Sequence, residues 1–181
     1  MIKKAFIIFS ALLLIYMVWP GPSKISDFAP LPSSDKSTLE GDTIQVPNVA
    51  AYFSDNYRKY VVDYYTINFR EKSLFPFPPL RLNHPPEYSW LAIKRHTDST
   101  YLGELLYPLR DSLYVNGLEP FYEDGSPKFW GSVKLNEGEN LWYTKTTLRY
   151  YPSTKTARII VWIGIISSLY LLFKLGRRVL I

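Results

Sequence analysis

Residues 159–173 form a run of fifteen side chains without a charge, among them Ile159, Trp162, Ile165 and Phe173. Such a run permits few structures. With Thr156, Ala157, Leu175 and Gly176 added, and the stems of Arg158 and Lys174 lying along apolar surface, it reaches about 20 residues, or about 30 Å of helix. That length matches the hydrocarbon core of a bilayer. A surface helix of a soluble domain shows a polar stripe, which this stretch lacks. Residues 156–176 are therefore predicted to form a transmembrane helix, with 177–181 as a basic tail.

A second uncharged run of fifteen residues spans 5–19, behind Lys3 and Lys4, and Pro20-Gly21-Pro22 ends it. A cleaved signal peptide needs small residues at its cleavage site. Gly21-Pro22-Ser23 contains Pro and lacks the usual Ala pattern. An uncleaved signal anchor over 1–19 fits better, with Tyr16 and Trp19 at the far interface. Lys and Arg collect on the cytoplasmic side of spans. Lys3 and Lys4 place the N-terminus there, and Lys174, Arg177 and Arg178 place the C-terminus there too. The expectation is a hairpin in the cell's inner membrane, with both termini cytoplasmic and the central domain outside. Gly164 and Ser168, four residues apart, and Ser10 with Ala11 are the small residues at mid-depth through which the two spans, or a partner's helix, would pack.

The chain carries +5 overall, but all 16 acidic and 15 of the 21 basic residues lie between Pro20 and Thr156, which leaves that region at −1. The remaining basic residues flank the apolar runs. The positive excess is a topology signal, and no nucleic-acid partner is expected. The absence of Cys removes disulfides, thiolate catalysis and Cys-based metal sites.

Residues 20–46 are rich in Pro and Ser and poor in large apolar side chains, so an extended linker is expected. Residues 47–152 have the pattern of an α+β domain. Asn48 fits an N-cap. Phe53, Tyr57, Tyr60, Val61, Tyr64 and Asn68 recur at helical spacing, predicting one long amphipathic helix of about 20 residues. Prolines dominate 76–86, and 88–96 suits a strand or a short helix. Strands are predicted at 101–107, 112–115, 118–122, 129–135 and 141–151, with Asn116-Gly117 as a hairpin turn. The expected fold class is α+β, an extracytoplasmic domain of one long helix and an antiparallel sheet of about four or five strands, flanked by N- and C-terminal transmembrane helices.

Nucleotide-binding and hydrolase motifs are absent. The two histidines, His84 and His96, show no metal-ligand spacing, so neither metal nor cofactor is predicted. Asp98, Glu104, Asp111, Glu119, Glu123 and Asp124 include enough carboxylates for an acid/base pair, but almost any soluble domain does, and solvated loop charges are the default. The aromatic content, 30 of 181 residues, is more distinctive. Surface rings fill partner pockets or stack on sugars. The chain is therefore expected to be a non-enzymatic subunit or scaffold of a cell-envelope complex, meeting the lipid bilayer through its helices and a protein partner, or another copy of itself, through its outer domain. The alternative is a glycan-binding or glycan-modifying protein with Trp90, Trp130 and Trp142 as platforms. A row of these tryptophans along a cleft with two carboxylates would favour the glycan, and a flat aromatic face the protein.

Overall fold

The computed structural model describes residues 2–40, 42, 47–71, 80–83 and 109–179. His84, Trp90, His96, Asp98, Glu104 and the strand expected at 101–107 lie outside them. Three helices, α1 (Ile2–Val18), α2 (Arg58–Glu71) and α3 (Lys155–Val179), accompany seven strands: β1 (Ser34–Lys36), β2 (Val49–Ser54), β3 (Leu80–Asn83), β4 (Ser112–Leu118), β5 (Leu135–Glu137), β6 (Asn140–Trp142) and β7 (Thr144–Tyr151). The main sheet has the order β1-β2-β7-β4-β3, while β5 and β6 pair by themselves. The architecture is α+β as expected. Four strands are antiparallel, but β3 runs parallel to β4, so the sheet is mixed.

In β7, Thr144, Thr146, Leu148 and Tyr150 are buried, alternating with half-buried Lys145, Arg149 and Tyr151. This alternation is visible in the sequence. Leu148 and Tyr150 join Tyr52, Leu113, Val115, Val61, Tyr65 and Phe69 in the core between sheet and α2.

Three expectations are corrected. The helix does not begin at Asn48. That residue sits in a turn with φ +62°, a left-handed conformation that Asn tolerates, and the chain enters β2, every residue of which is buried. A short run covered on both faces carries no period, so nothing in 49–54 distinguishes strand from helix. The helix starts ten residues later, at Arg58, and buries Val61, Tyr65, Asn68 and Phe69, leaving Tyr60 46% exposed.

The segment 20–46 is no free linker. Phe28 and Leu31 lie in the core, Phe28 stacks on Phe69 at 5.5 Å, and β1 extends the sheet. Its backbone is satisfied by side chains of α2 and of the loop before it: Ala29 N–H donates to Asn68 Oδ1 at 3.2 Å, Tyr64 Oη to Pro30 O and Asn56 Nδ2 to Pro32 O, both at 2.8 Å. Two anchored apolar side chains, Phe28 and Leu31, together with these hydrogen bonds hold an otherwise polar strap.

Asn116-Gly117 makes no turn. Both residues continue β4 and pair with Thr147 and Thr146 of β7. Gly117 is not among the glycines with positive φ. Hydrogen bonding inside the sheet outweighs a dipeptide preference. The reversal comes later, where Gly125 (φ +82°) follows Asp124 and Tyr122 N–H donates to Ser126 O at 2.8 Å. The strand expected at 118–122 does not form beyond Leu118, the end of β4, and that at 129–135 survives only in Leu135, which opens the short β5–β6 hairpin turning at Gly138 (φ +62°); the strand expected at 141–151 is divided between the end of β6 and β7.

α1 and α3 pack side by side and antiparallel: Arg158 near the start of α3 reaches the end of α1, and Trp162 Nε1 donates to Ser10 O at 2.9 Å. Among the described residues, α3 is the one helix long and apolar enough to cross a membrane. α1, with 17 residues, is about 26 Å long. Thr154 caps α3 through its Oγ1, which accepts from Ala157 N–H at 3.2 Å. The covered stripe of α1 runs through Phe6, Ser10, Leu13, Leu14 and Met17, and that of α3 through Arg158, Val161, Trp162, Ile165 and Ile166.

Of the small residues expected here, only Ser10 takes part in this contact, through its carbonyl. Ala11, Gly164 and Ser168 face outward, and a Cβ placed on Gly164 meets nothing within 4 Å. Trp162 occupies the space between the helices and holds them by its ring and its indole N–H. Gly164→Leu is therefore expected to leave the pair intact, whereas Ile165→Trp should disturb it. The measurement is thiol cross-linking of Leu14→Cys with Val161→Cys in native membranes. A yield abolished by Gly164→Leu would return the contact to the small residues.

Candidate functional site

The two ends of the sheet are chemically different. β7 has eight residues, about 26 Å of strand, and connects them. One end is rooted on the helix pair. The other carries the loops around residues 55–57 and 119–134.

At the far end lies an open cleft of about 960 Å³. Tyr57 and Tyr122 supply its rings, Val62 an apolar patch, and Asp63, Glu119, Glu123 and Asp124 its carboxylates. Tyr57 Oη donates to Tyr122 O at 2.8 Å and so ties the start of α2 to the loop after β4. Burial and the nearby Glu119 and Asp55 carboxylates push the Tyr57 phenol above its ordinary pKa, so it stays protonated and keeps donating. Glu119 accepts Arg58 N–H at 2.6 Å, placing a carboxylate at the positive end of α2, and pairs with Lys128 Nζ at 3.1 Å. Lys128 also lies over the Tyr122 ring, 5.2 Å from its centroid.

Of the acidic residues singled out from sequence, Glu119, Glu123 and Asp124 thus converge, while Asp111 lies at the opposite end of β4. Neither Glu119 nor Asp124 is set up as a proton donor. Glu119 is engaged on both oxygens. Ser126, through its N–H and Oγ, holds the Asp124 carboxyl below the usual carboxylate range, the wrong direction for an acid working near neutral pH. Among the described residues, no group of three His, Asp or Glu is placed to hold a metal ion.

Beside the cleft, Trp130 stands 95% exposed. The turn that presents it is well held. Ser132 N–H donates to Phe129 O at 3.2 Å, Gly131 has φ +83°, and Ser132 Oγ donates to Pro120 O at 2.8 Å. Trp at the second position and Gly with positive φ at the third suit a type II turn. Trp142 behaves differently. It packs against Phe53, Leu118 and Leu135, and its indole N–H donates to Asp35 Oδ2 at 3.2 Å. Trp130 and Trp142 therefore form no row along the cleft, whose rings are those of Tyr57 and Tyr122.

At the near end, Arg110, Asp111 and Arg158 are buried together, 3%, 4% and 5% exposed. Arg158 Nη2 donates to Asp111 Oδ1 at 2.5 Å and to Ser153 O at 2.9 Å, while Nη1 donates to Met17 O at 2.9 Å. Arg110 Nη1 donates to Tyr16 O at 3.2 Å, and its guanidinium lies 5.4 Å from the centre of the Tyr16 ring. Burial and the neighbouring Arg158 pull the Arg110 pKa below its ordinary value, though an arginine stays charged at any physiological pH. In the sequence Arg110 looks like a loop residue and Arg158 like a snorkelling flank; an Arg-Asp pair immediately before a strand is the only trace of this cluster.

A comparison with protein-family models finds no match, and neither do comparisons with curated proteins and with solved structures.

Proposed function

We propose that the protein is a membrane-anchored, non-enzymatic subunit or scaffold of a cell-envelope complex. α1 and α3 span the inner membrane, and the sheet domain offers its far end to a protein partner or to a second copy of the chain. One observation carries this most: the outer faces of both helices are bare apolar surface, with Ile7, Leu12, Ile160 and Leu172 each about 60% exposed or more, while an exposed Trp and a ring-lined cleft occupy the opposite end of the domain. In water such a belt would not remain uncovered. Because the helices are antiparallel, Lys3 and Lys4 lie at the same end of the pair as Lys174, Arg177 and Arg178. That common end is the cytoplasmic one.

The chain has no Cys, so single cysteines report topology directly. Ser126→Cys is expected to react with an impermeant thiol reagent on intact cells, and Val179→Cys only after the membrane is opened. Labelling of both from outside would rule out the hairpin. Trp130→Ala is expected to leave the melting temperature unchanged, since the side chain touches little, and to weaken partner recovery at least tenfold. The recovery is read by photo-cross-linking in native membranes from position 133, an exposed neighbour in the same loop.

A second reading has one observation in its favour. The cleft joins two tyrosine rings with carboxylates, a combination that suits a hydroxylated ligand such as a glycan. It would then be Tyr122→Ala, and not Trp130→Ala, that abolishes binding of cell-wall oligosaccharides to the solubilised protein.

A further inference from the structure

We infer that Arg110, Asp111 and Arg158 form a clamp on the last turn of α1, which makes that helix a fixed part of the sheet domain and not a removable leader. The last carbonyls of a helix lack partners within it and carry partial negative charge. Here two of them are met by guanidinium groups from other elements: Tyr16 O by Arg110, just before β4, at 3.2 Å, and Met17 O by Arg158, from α3, at 2.9 Å. In the first turn of α3, Arg158 sits at the positive end of its own helix, an unfavourable place for a cation. Its charge is answered instead by Asp111 at 2.5 Å and by the negative end of α1. Ser153 N–H donates to the same Asp111 oxygen at 2.9 Å, which pins the carboxylate in turn.

The chain that follows α1 is shaped to the clamp. A Cβ on Gly21 would lie 2.9 Å from Arg110 Nη2 and 3.1 Å from Asp111 Oδ2, so a side chain there would push the clamp's own head groups aside. Tyr150 donates its hydroxyl to Pro22 O. Met17 is 0% exposed. The residues at which a leader peptide would be cut are thus the ones the domain grips. A cut there that released α1 would remove one acceptor, Tyr16 O or Met17 O, from each of two buried guanidinium groups.

The test uses the full chain in native membranes. Intact mass is expected to include residues 2–19, and a chain beginning at any residue from Pro20 to Lys24 overturns the inference. The grip itself is read from Met17→Cys, whose thiol reacts only when the clamp opens. Gly21→Val removes no charge and no hydrogen bond, and is expected to speed that reaction at least tenfold. Exchanging the pair, Asp111→Arg with Arg158→Asp, distinguishes a clamp from a simple ion pair. A simple pair is restored by the exchange, whereas a carboxylate at position 158 cannot donate to Met17 O, so fast labelling should persist. Slow labelling in the exchanged protein, or in Gly21→Val, would refute the clamp.

Discussion

Arg158→Leu is expected to lower the stability of the detergent-solubilised protein by about 3–5 kcal/mol, because it takes the hydrogen-bonded counter-charge from buried Asp111 and leaves it only the neighbouring Arg110. Both side chains of the pair are 6% exposed, so water cannot take over. Asp111→Leu should have a similar effect, with the guanidinium as the stranded group. Combining the two should cost less than their sum, since neither partner of the pair is then left without the other, although Arg110 loses the neighbouring Asp111 carboxylate. Recovery should stop short of the wild type, because Met17 O, Ser153 O and the Ser153 N–H lose partners in the double variant, each worth about 1 kcal/mol. A thermal melt of each variant decides the matter. Single effects below about 1 kcal/mol would mean that the pair behaves as a solvated surface bridge.

Tyr65→Ala should be comparably damaging, at about 3–5 kcal/mol, but for a different reason. The ring is 0% exposed between α2 and the sheet, where it packs edge-on against Tyr64, 5.1 Å between centroids, and its removal leaves a cavity. Tyr65→Phe separates ring from hydroxyl. The Tyr65 hydroxyl has no hydrogen-bond partner among the described residues, and burial drives its pKa upward. Deleting a buried hydroxyl that bonds to nothing should therefore leave stability unchanged or raise it by up to about 1 kcal/mol. A loss above that in the same melt would show that the hydroxyl is satisfied after all.

These variants bear on what could be foreseen. The apolar run of α3 and the strand pattern of β7 are local, and each is found where it was expected. Phe28 and Leu31 were missed because two apolar residues among prolines give no period; only their partners, Phe69 and Tyr150 among them, reveal a core position. Asn116-Gly117 misled because a dipeptide cannot register that β7 will lie alongside it. The cleft was half legible. Glu119, Glu123 and Asp124 lie close together in sequence, but Tyr57 and Asp63 reach them only because α2 starts beside the end of β4. The cluster of Arg110, Asp111 and Arg158 was beyond reach, since its members belong to different elements and its acceptors are backbone atoms of a third.

The central place of β7 also has a consequence in time. Strands β2 and β4 both pair with β7, yet both are synthesised before it, and Ser54 waits 90 residues for Thr144. Until then each has an open edge, the state in which sheet proteins are most prone to wrong pairings. Closure over such separations is slow. Only Pro152, Ser153 and Thr154 lie between β7 and α3. The sheet therefore receives its middle strand just as the long apolar helix emerges, so that closing the sheet and completing the helix pair become neighbouring steps of a single event.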